Sequence, residues 1–238
     1  MTRRLAAATL VPGNLLLASL PDVERRRLMA CCEPVALKFE EVLYDVGDRI
    51  RHVYFPTASF LSLISVVDKS SNLEVGLVGA EGMLGSSLLL GIETASLRVL
   101  VQGAGPALRL DAAQFARELK RSAALRKKLN LYLYVFMTQL SQMAPCARYH
   151  LVEARLARWL LMTRDRAQSS DFPLTQEFLA YMLGVRRAGI TRAASNLQKR
   201  RLIRYTRGKM RILDSRGLEA VSCDCYAAAA QLYAKVLG

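Results

Sequence analysis

The sequence LTQEFLAYMLGVRRAGITR, residues 174–192, decides the fold predicted for the C-terminal part of the chain. Thr175 is a residue type that begins helices, and four apolar residues follow it at the spacing of one helix face. They are Phe178, Leu179, Met182 and Leu183. Gly184 stands where this helix must end, since glycine adopts positive φ with little strain. A second helix follows and buries Ile190, Ala194 and Leu197, so the stretch predicts a helix-turn-helix.

The outward face of the second helix is polar and basic. It carries Arg187, Thr191, Arg192, Ser195 and Lys199. Thr175, Gln176 and Arg186 lie at the start of the first helix and in the turn. An arginine early in the second helix suits bidentate recognition of guanine in the major groove of duplex DNA. We therefore predict that these residues bind DNA.

A small hairpin is predicted after the helix pair. Residues 202–205 and 209–213 alternate around Thr206-Arg207-Gly208, a typical glycine turn. Such a wing places Arg207 and Lys209 against phosphates, contacts that position a protein on DNA without reading its sequence. An ordinary helical hairpin with surface arginines is the plain alternative. The helix pair, the basic face and the hairpin occurring in this order favour a winged helix-turn-helix.

The charge distribution indicates a polyanionic partner. The formal net charge is +14, and the window from Arg186 to Arg211 contains ten Lys and Arg without any Asp or Glu. A solvated cationic face is the alternative. No apolar run is long enough to span a bilayer. Residues 1–4 followed by the apolar stretch 5–17 faintly resemble a signal peptide, but residues 12–14 break that stretch. We expect a cytoplasmic protein that does not bind membranes.

The front half has a different pattern. A short helix is predicted over residues 15–30, followed by short β-rich runs with turn signals between them, which indicate a small barrel or sandwich. The runs are 35–39, 42–44, 52–55, 60–67, 73–78, 97–101 and 107–110, and the turn signals are 46–48, 56–57, 68–72 and 103–106. Asp111 then caps a helix over 112–120. The predicted fold class is α+β.

A longer helix is predicted over residues 122–144, and its apolar steps of four and three fit a dimer seam. The seam consists of Leu125, Leu129, Tyr132, Phe136 and Met143. The alternative is that this stripe packs on the barrel. Leu133, Met137 and Leu140 supply a second apolar stripe, so both faces can be covered. Pro145 should kink or interrupt the helix, and another helix follows over 151–166. The predicted domains are a sensory barrel at 1–121, a dimerisation helix at 122–150 and the DNA-binding domain at 151–238.

The chain resembles the Crp/Fnr superfamily of bacterial regulators over nearly its whole length. The matching stretches are 54–56, 79–85, 154–161, 174–187 and 223–226. The resemblance implies a cyclic-nucleotide-binding-like β-barrel (jelly roll), a homodimer on an inverted-repeat operator and RNA polymerase as a further partner. The family's guanine-reading arginine falls on Arg187, and a later recognition-helix arginine falls on Arg192. The glutamate of the cyclic-AMP-responsive branch falls on Ala188, which implies a different base preference.

The effector pocket implied by the resemblance departs from that branch. Its candidate residues are Glu81, Gly82, Met83, Leu84, Gly85 and Arg98. Aligned without gaps, the phosphate-holding arginine of cyclic-AMP binders falls on Ala95 and their glutamate falls on Gly85. Arg98 and Glu81 lie nearby but off register. Because an unpaired buried phosphate is costly, we predict that the effector is not cyclic AMP.

Metal and catalytic chemistry receive little support from the sequence. Cys146, His150 and Glu153 have helical spacing for a partial metal site, but a structural role is the usual explanation. Cys223 and Cys225 lack the spacing of a zinc knuckle and suggest a buried pair of thiols, while Cys31 and Cys32 alone cannot hold an iron–sulfur cluster. We assign no metal ligand and no cofactor.

Two function classes remain. The chain has only two histidines and no recognisable catalytic constellation, so we expect no enzyme. The first class is a DNA-binding regulator. The second is a sensory or interaction module whose basic tail binds RNA or acidic lipid. The register of the recognition helix and the wing favours the first.

Overall fold

The computed structural model describes residues 13–67 and 72–238, and its residues form two compact units. The leader-like start and most of the turn predicted at 68–72 lie outside the described residues. The first unit comprises the described residues up to Leu63, Leu77–Met137 and Ala230–Gly238. The second comprises the described residues of Ile64–Gly76 together with Thr138–Ala229.

Seven strands build the N-terminal β domain in two sheets. They are β1 (Glu33–Leu37), β2 (Val42–Tyr44), β3 (His52–Pro56), β4 (Phe60–Val66), β5 (Asn72–Val78), β6 (Arg98–Gly103) and β7 (Gly105–Asp111). One sheet has the order β1-β7-β3 and the other β2-β6-β4-β5. Strand β7 pairs antiparallel with both neighbours, His52 lying opposite Asp111 on one side and Glu33 opposite Arg109 on the other. The prediction of a β domain here is confirmed, and its strands form two sheets.

The helices around this domain are α1 (Leu15–Ala18), α2 (Asp22–Ala30) and α3 (Ala112–Arg121), with a 3₁₀ turn at Ser86–Leu90. The single helix predicted over 15–30 is wrong. Pro21 divides it, since proline has no amide hydrogen to continue the first helix and instead precedes the second. The predicted cap at Asp111 is confirmed, because its carboxylate accepts hydrogen bonds from the amides of Ala113 and Gln114.

Helix α4 (Ala123–Tyr149) passes through both units. Pro145 does not end it, and the helix continues to Tyr149. In the first unit its residues Leu125 and Leu129 join a core with Phe55 and Phe115, all of them fully buried. The long helix is therefore part of the packing of the β domain.

The second unit contains helices and a small sheet. Its elements are α5 (Val152–Ala167), β8 (Asp171–Pro173), α6 (Gln176–Leu183), α7 (Arg187–Lys199), β9 (Ile203–Thr206), β10 (Lys209–Ile212), α8 (Ser215–Val221) and the start of α9 (Cys225–Val236). Helix α5 packs on α7 and α8, and α6 packs on α7. Trp159 of α5 is buried, and its indole N–H donates to Glu74 Oε1 at 2.9 Å. This core supports the helix pair.

No helix in the described part of the chain combines the length and apolarity needed to cross a bilayer.

Candidate DNA-binding surface

The helix pair has the geometry that its sequence predicts. Thr175 caps α6 and accepts a hydrogen bond from the amide of Phe178 at 3.0 Å. Gly184 ends the helix in the left-handed region with φ +61°, and a Cβ there would meet Leu73 at 3.0 Å. Glycine is therefore required for both its conformation and its small size.

A buried arginine fixes the end of α6. Arg155 of α5 is only 5% exposed, and its guanidinium donates to the carbonyl of Leu183 at 2.5 Å. The last carbonyls of a helix have no partner within the helix and carry partial negative charge. Burial lowers the pKa of Arg155. This hydrogen bond positions the turn before α7. The helical periodicity of the sequence did not predict it.

Helix α7 separates a buried face from a basic one. Ile190, Ala194 and Leu197 are buried, as predicted. The five polar residues predicted for the opposite face are all exposed: Arg187, Thr191, Arg192, Ser195 and Lys199. Arg186 caps the helix and is also exposed. Because these side chains are exposed, they are available to enter a groove of DNA.

One hydrogen bond links the two helices at this surface. The hydroxyl of Thr191 donates to Gln176 Oε1 at 2.7 Å, so the side chain at the start of α6 lies beside the exposed face of α7. Both residues belong to the predicted binding set. The fold therefore brings the beginning of α6 and the first turns of α7 to one surface.

The wing is a three-stranded sheet with the order β8-β10-β9. Arg207 and Gly208 form its turn with positive φ values of 48° and 76°, the conformation of a tight hairpin turn. Strand β8 was not predicted from the sequence. Its Asp171 forms an ion pair with Arg211 at 2.5 Å. Gln198 of α7 accepts a hydrogen bond from the amide of Tyr205 and so attaches the wing to the helix.

The cations of the basic window differ in whether an acidic residue pairs with them. Arg200 pairs with Glu153 at 3.4 Å, and Arg211 pairs with Asp171. The other eight cations of the basic window are exposed and have no ion-pair partner among residues 13–67 and 72–238. They are Arg186, Arg187, Arg192, Lys199, Arg201, Arg204, Arg207 and Lys209. Arg201 and Arg204 were not assigned from the sequence, although their place in the basic window could have indicated them.

The predicted effector residues are occupied by contacts within the first unit. The phenol of Tyr132 donates to the carbonyl of Met83 at 3.1 Å, and its ring leaves no room for a Cβ at Gly82. Met83 and Leu84 are buried, Gly85 has φ +90°, and Glu81 Oε1 accepts from the amide of Gly79 at 3.2 Å. Arg98 forms two hydrogen bonds to Asp45, at 2.8 and 3.2 Å, and holds the pKa of that carboxyl below its usual range.

The side chains of the predicted dimer seam divide into two groups. Leu125, Leu129 and Tyr132 are buried within their own chain, and Phe136 packs against the same core and stacks on Tyr132 at 6.0 Å. Met143 is partly exposed. On another face of α4, Met137 is 56% exposed, and Leu133 and Leu140 are partly exposed. The second apolar stripe therefore faces outward.

Comparison with known proteins agrees with both the fold and the surface. Residues 154–221 match the family described as the Crp-like helix-turn-helix domain. A putative Crp/Fnr-family transcriptional regulator from Eubacterium rectale has a TM-score of 0.69 at 17% identity, over 87% of this chain and 96% of that one. FixK2 from Bradyrhizobium japonicum has a TM-score of 0.67 at 12% identity, over 81% and 98%.

A third solved structure, the c-di-GMP responsive global regulator CLP of Xanthomonas campestris, has a TM-score of 0.67 at 14% identity, over 81% of this chain and 99% of that one. No curated protein is significantly similar in sequence. A match to a Crp-like helix-turn-helix agrees with the DNA-binding surface described above. The chain thus carries a Crp-like helix-turn-helix domain at residues 154–221, and its fold is that of solved Crp/Fnr-family regulators.

Proposed function

We propose that the protein binds an inverted-repeat operator as a two-fold homodimer, with α7 in the major groove and the β9–β10 hairpin on the backbone. One observation carries this proposal. Eight exposed cations on α7, the following turn and the wing have no acidic partner in the described part of the chain. Phosphates are the natural counter-charge for such a surface. A two-fold dimer presents its recognition helices to half-sites about 34 Å apart.

The positions of two cations indicate different roles. Arg187 begins α7, where a recognition helix approaches base edges, and its guanidinium can contact guanine in a bidentate manner. Lys209 begins β10 beside the wing turn, where a side chain reaches phosphate. Arg187 therefore contributes specificity, and Lys209 contributes affinity for any sequence.

The variants Arg187→Ala and Lys209→Ala are expected to change DNA binding in different ways. Arg187→Ala should weaken binding to the selected operator by about 1–3 kcal/mol and relax the preference at one base pair of each half-site. Lys209→Ala should weaken operator and random duplex alike and reduce the slope of log affinity against log salt by about one unit. Fluorescence anisotropy over a salt series measures both effects on operators recovered by genome-wide mapping.

Arg216→Ala is the matched control, because Arg216 is an exposed cation of α8 outside the helix pair and wing. It should leave specificity unchanged. An equal loss on operator and random DNA for Arg187→Ala would remove the base-reading role from this residue.

The β domain is proposed to bind an effector other than cyclic AMP, or none. Ala95 offers no cation, its backbone is paired with Gly47 and Asp48, and the nearby guanidinium of Arg98 is engaged by Asp45. Tyr132 closes over Gly82. A cyclic phosphate would need a compensating set of donors, and these contacts supply none.

Calorimetry with cyclic AMP and cyclic GMP at millimolar concentration is expected to show no saturable binding. Saturable micromolar binding that Arg98→Ala abolishes would contradict the gap-free alignment that puts the family's phosphate-holding arginine on Ala95. It would restore a family-like phosphate site.

Contact with RNA polymerase and a cytoplasmic location remain predictions.

A further inference from the structure

Four metal-binding side chains meet in the second unit. They are Cys146, His150, Cys223 and Cys225, and their ligand atoms all lie within 4.8 Å of one another. Cys146 lies in the last turn of α4 and His150 directly follows that helix, while Cys223 precedes α9 and Cys225 is its first residue. The sequence could not join these pairs, because 77 residues separate Cys146 from Cys223.

The sequence had placed Glu153 with Cys146 and His150 as a partial metal site. The structure does not bring it there, since Glu153 pairs with Arg200 and accepts from Asn196 at 3.0 Å. Two thiols take the place of that one carboxylate. The cluster thus offers three sulfurs and one imidazole, a donor set typical of structural zinc sites.

Two separations within the cluster match those around one tetrahedral ion. Zn–S bonds of about 2.3 Å at the tetrahedral angle place two sulfurs about 3.8 Å apart, and a sulfur and an imidazole nitrogen slightly closer. Cys146 Sγ lies 3.7 Å from Cys223 Sγ, and Cys225 Sγ lies 3.6 Å from His150 Nδ1. A two-iron cluster divides its ligands between two metals and needs a wider arrangement. A single ion is therefore the better fit.

The surroundings of the cluster favour negative charge on it. Arg155 and Arg158 of α5 are 5% and 6% exposed, and neither forms an ion pair with a carboxylate of the described residues. Their Nε atoms are buried and have no hydrogen-bond partner there. Both arginines interact electrostatically with the Cys146 and Cys223 thiols. Buried unpaired cations are costly, and a dication held by three thiolates and a neutral imidazole would be a compensating monoanion.

An amide also points at the sulfurs. Gln142 Nε2 donates to Cys225 Sγ at 3.2 Å, and Ala154 packs against the thiols. Such outer contacts orient metal-bound ligands and stabilise their charge. All three cysteines are buried, with exposed fractions of 0, 6 and 2%, while His150 is partly exposed. The three buried cysteines would shield the metal from solvent, as the ligands of structural zinc sites do.

We propose that Cys146, His150, Cys223 and Cys225 bind one zinc ion, which fastens the end of α4 to the start of α9 within the unit that carries the helix-turn-helix. Binding displaces the thiol protons to solvent and forms three Zn–S bonds and one Zn–N bond, with no change in oxidation state. The metal then stabilises that unit, because the unfolded chain has no preformed site.

Metal analysis of the full-length protein, purified without added metal, tests the proposal. We expect equimolar zinc, loss of that zinc from Cys146→Ser and Cys223→Ser, and its retention by the control Cys31→Ser, Cys32→Ser. Cys31 and Cys32 belong to the first unit and are not members of the cluster. Gln142→Ala should keep the ligands but bind zinc about 10-fold more weakly in competition with a chromophoric chelator.

A cobalt titration of the chelator-treated wild-type chain keeps the test valid if the serine variants fail to fold. Thiolate charge-transfer bands with the visible spectrum of tetrahedral cobalt, appearing at one equivalent, support the site. Metal-free protein that gives no such bands overturns the proposal. So does bound iron with sulfide, or a Cys146–Cys223 disulfide found by peptide mapping of the freshly purified, unreduced chain.

Discussion

The double variant Leu133→Asp, Met137→Asp is expected to be monomeric and to bind its operator about 100-fold more weakly or worse, because two linked half-site contacts become one. We propose that the dimer seam runs along the outward stripe of α4 that contains both positions, because Leu125, Leu129 and Tyr132 of the seam predicted from the sequence are buried in their own chain. Each aspartate would then meet its symmetry mate across a two-fold interface. Like charges facing each other in an apolar seam oppose association. Analytical ultracentrifugation gives the oligomeric state, and anisotropy gives the affinity.

Leu90→Asp, Ile92→Asp is the matched control. Both residues are exposed apolar side chains, at 64 and 51%, and both lie outside α4. This control should remain a dimer with unchanged operator affinity. Substitution of Leu129 would be a poor test, since that side chain is fully buried in its own chain and its loss would unfold the first unit. A dimer that survives in the Leu133→Asp, Met137→Asp chain would show that the seam lies elsewhere.

Trp159→Ala is expected to destabilise the DNA-binding unit by about 3–5 kcal/mol. Trp159 is 2% exposed, packs edge-on to Phe178 of α6 at 6.4 Å between ring centroids, and donates to Glu74. Its removal leaves a cavity beneath the helix pair and takes a hydrogen-bond donor from a buried carboxylate. Because Trp159 is the only tryptophan, unfolding of the variant in urea must be followed by circular dichroism.

Trp159→Phe separates the contribution of packing from that of the hydrogen bond to Glu74, because it retains much of the packing and loses the N–H donor. Tyr149→Ala, at a residue 77% exposed, should change stability by less than about 0.5 kcal/mol. If Trp159→Ala unfolds at the same urea concentration as the wild type, Trp159 does not hold the unit together.

Local sequence signals predicted most elements of this fold. The cap at Thr175, the turn at Gly184 and the alternation around Gly208 depend on residues close together in the chain, and each lies where it was expected. The seven strands were also found from short β-rich runs between turn residues. The prediction of one helix over 15–30 was wrong for a local reason that the sequence contains, because Pro21 divides it.

Long-range contacts could not be predicted in the same way. Periodicity showed that α4 has two apolar stripes but not that Leu129 faces the β domain while Met137 faces solvent. The hydrogen bond from Arg155 to the end of α6 spans 28 residues, and that from Trp159 to Glu74 spans 85. Such contacts depend on how elements pack, and neither charge nor hydropathy along the chain encodes them.

Competition for a labelled duplex operator tests the central claim that α7 and the wing form a sequence-reading DNA surface. The competitors are unlabelled operator, random duplex, RNA of equal length and anionic vesicles, each at one salt concentration. We expect operator to compete most strongly and random duplex to compete more weakly by a factor of about 10³ or more. Arg187→Ala should reduce this difference between operator and random duplex. RNA or vesicles that displace the operator as well as unlabelled operator does, with Arg187→Ala unchanged, would contradict the central claim.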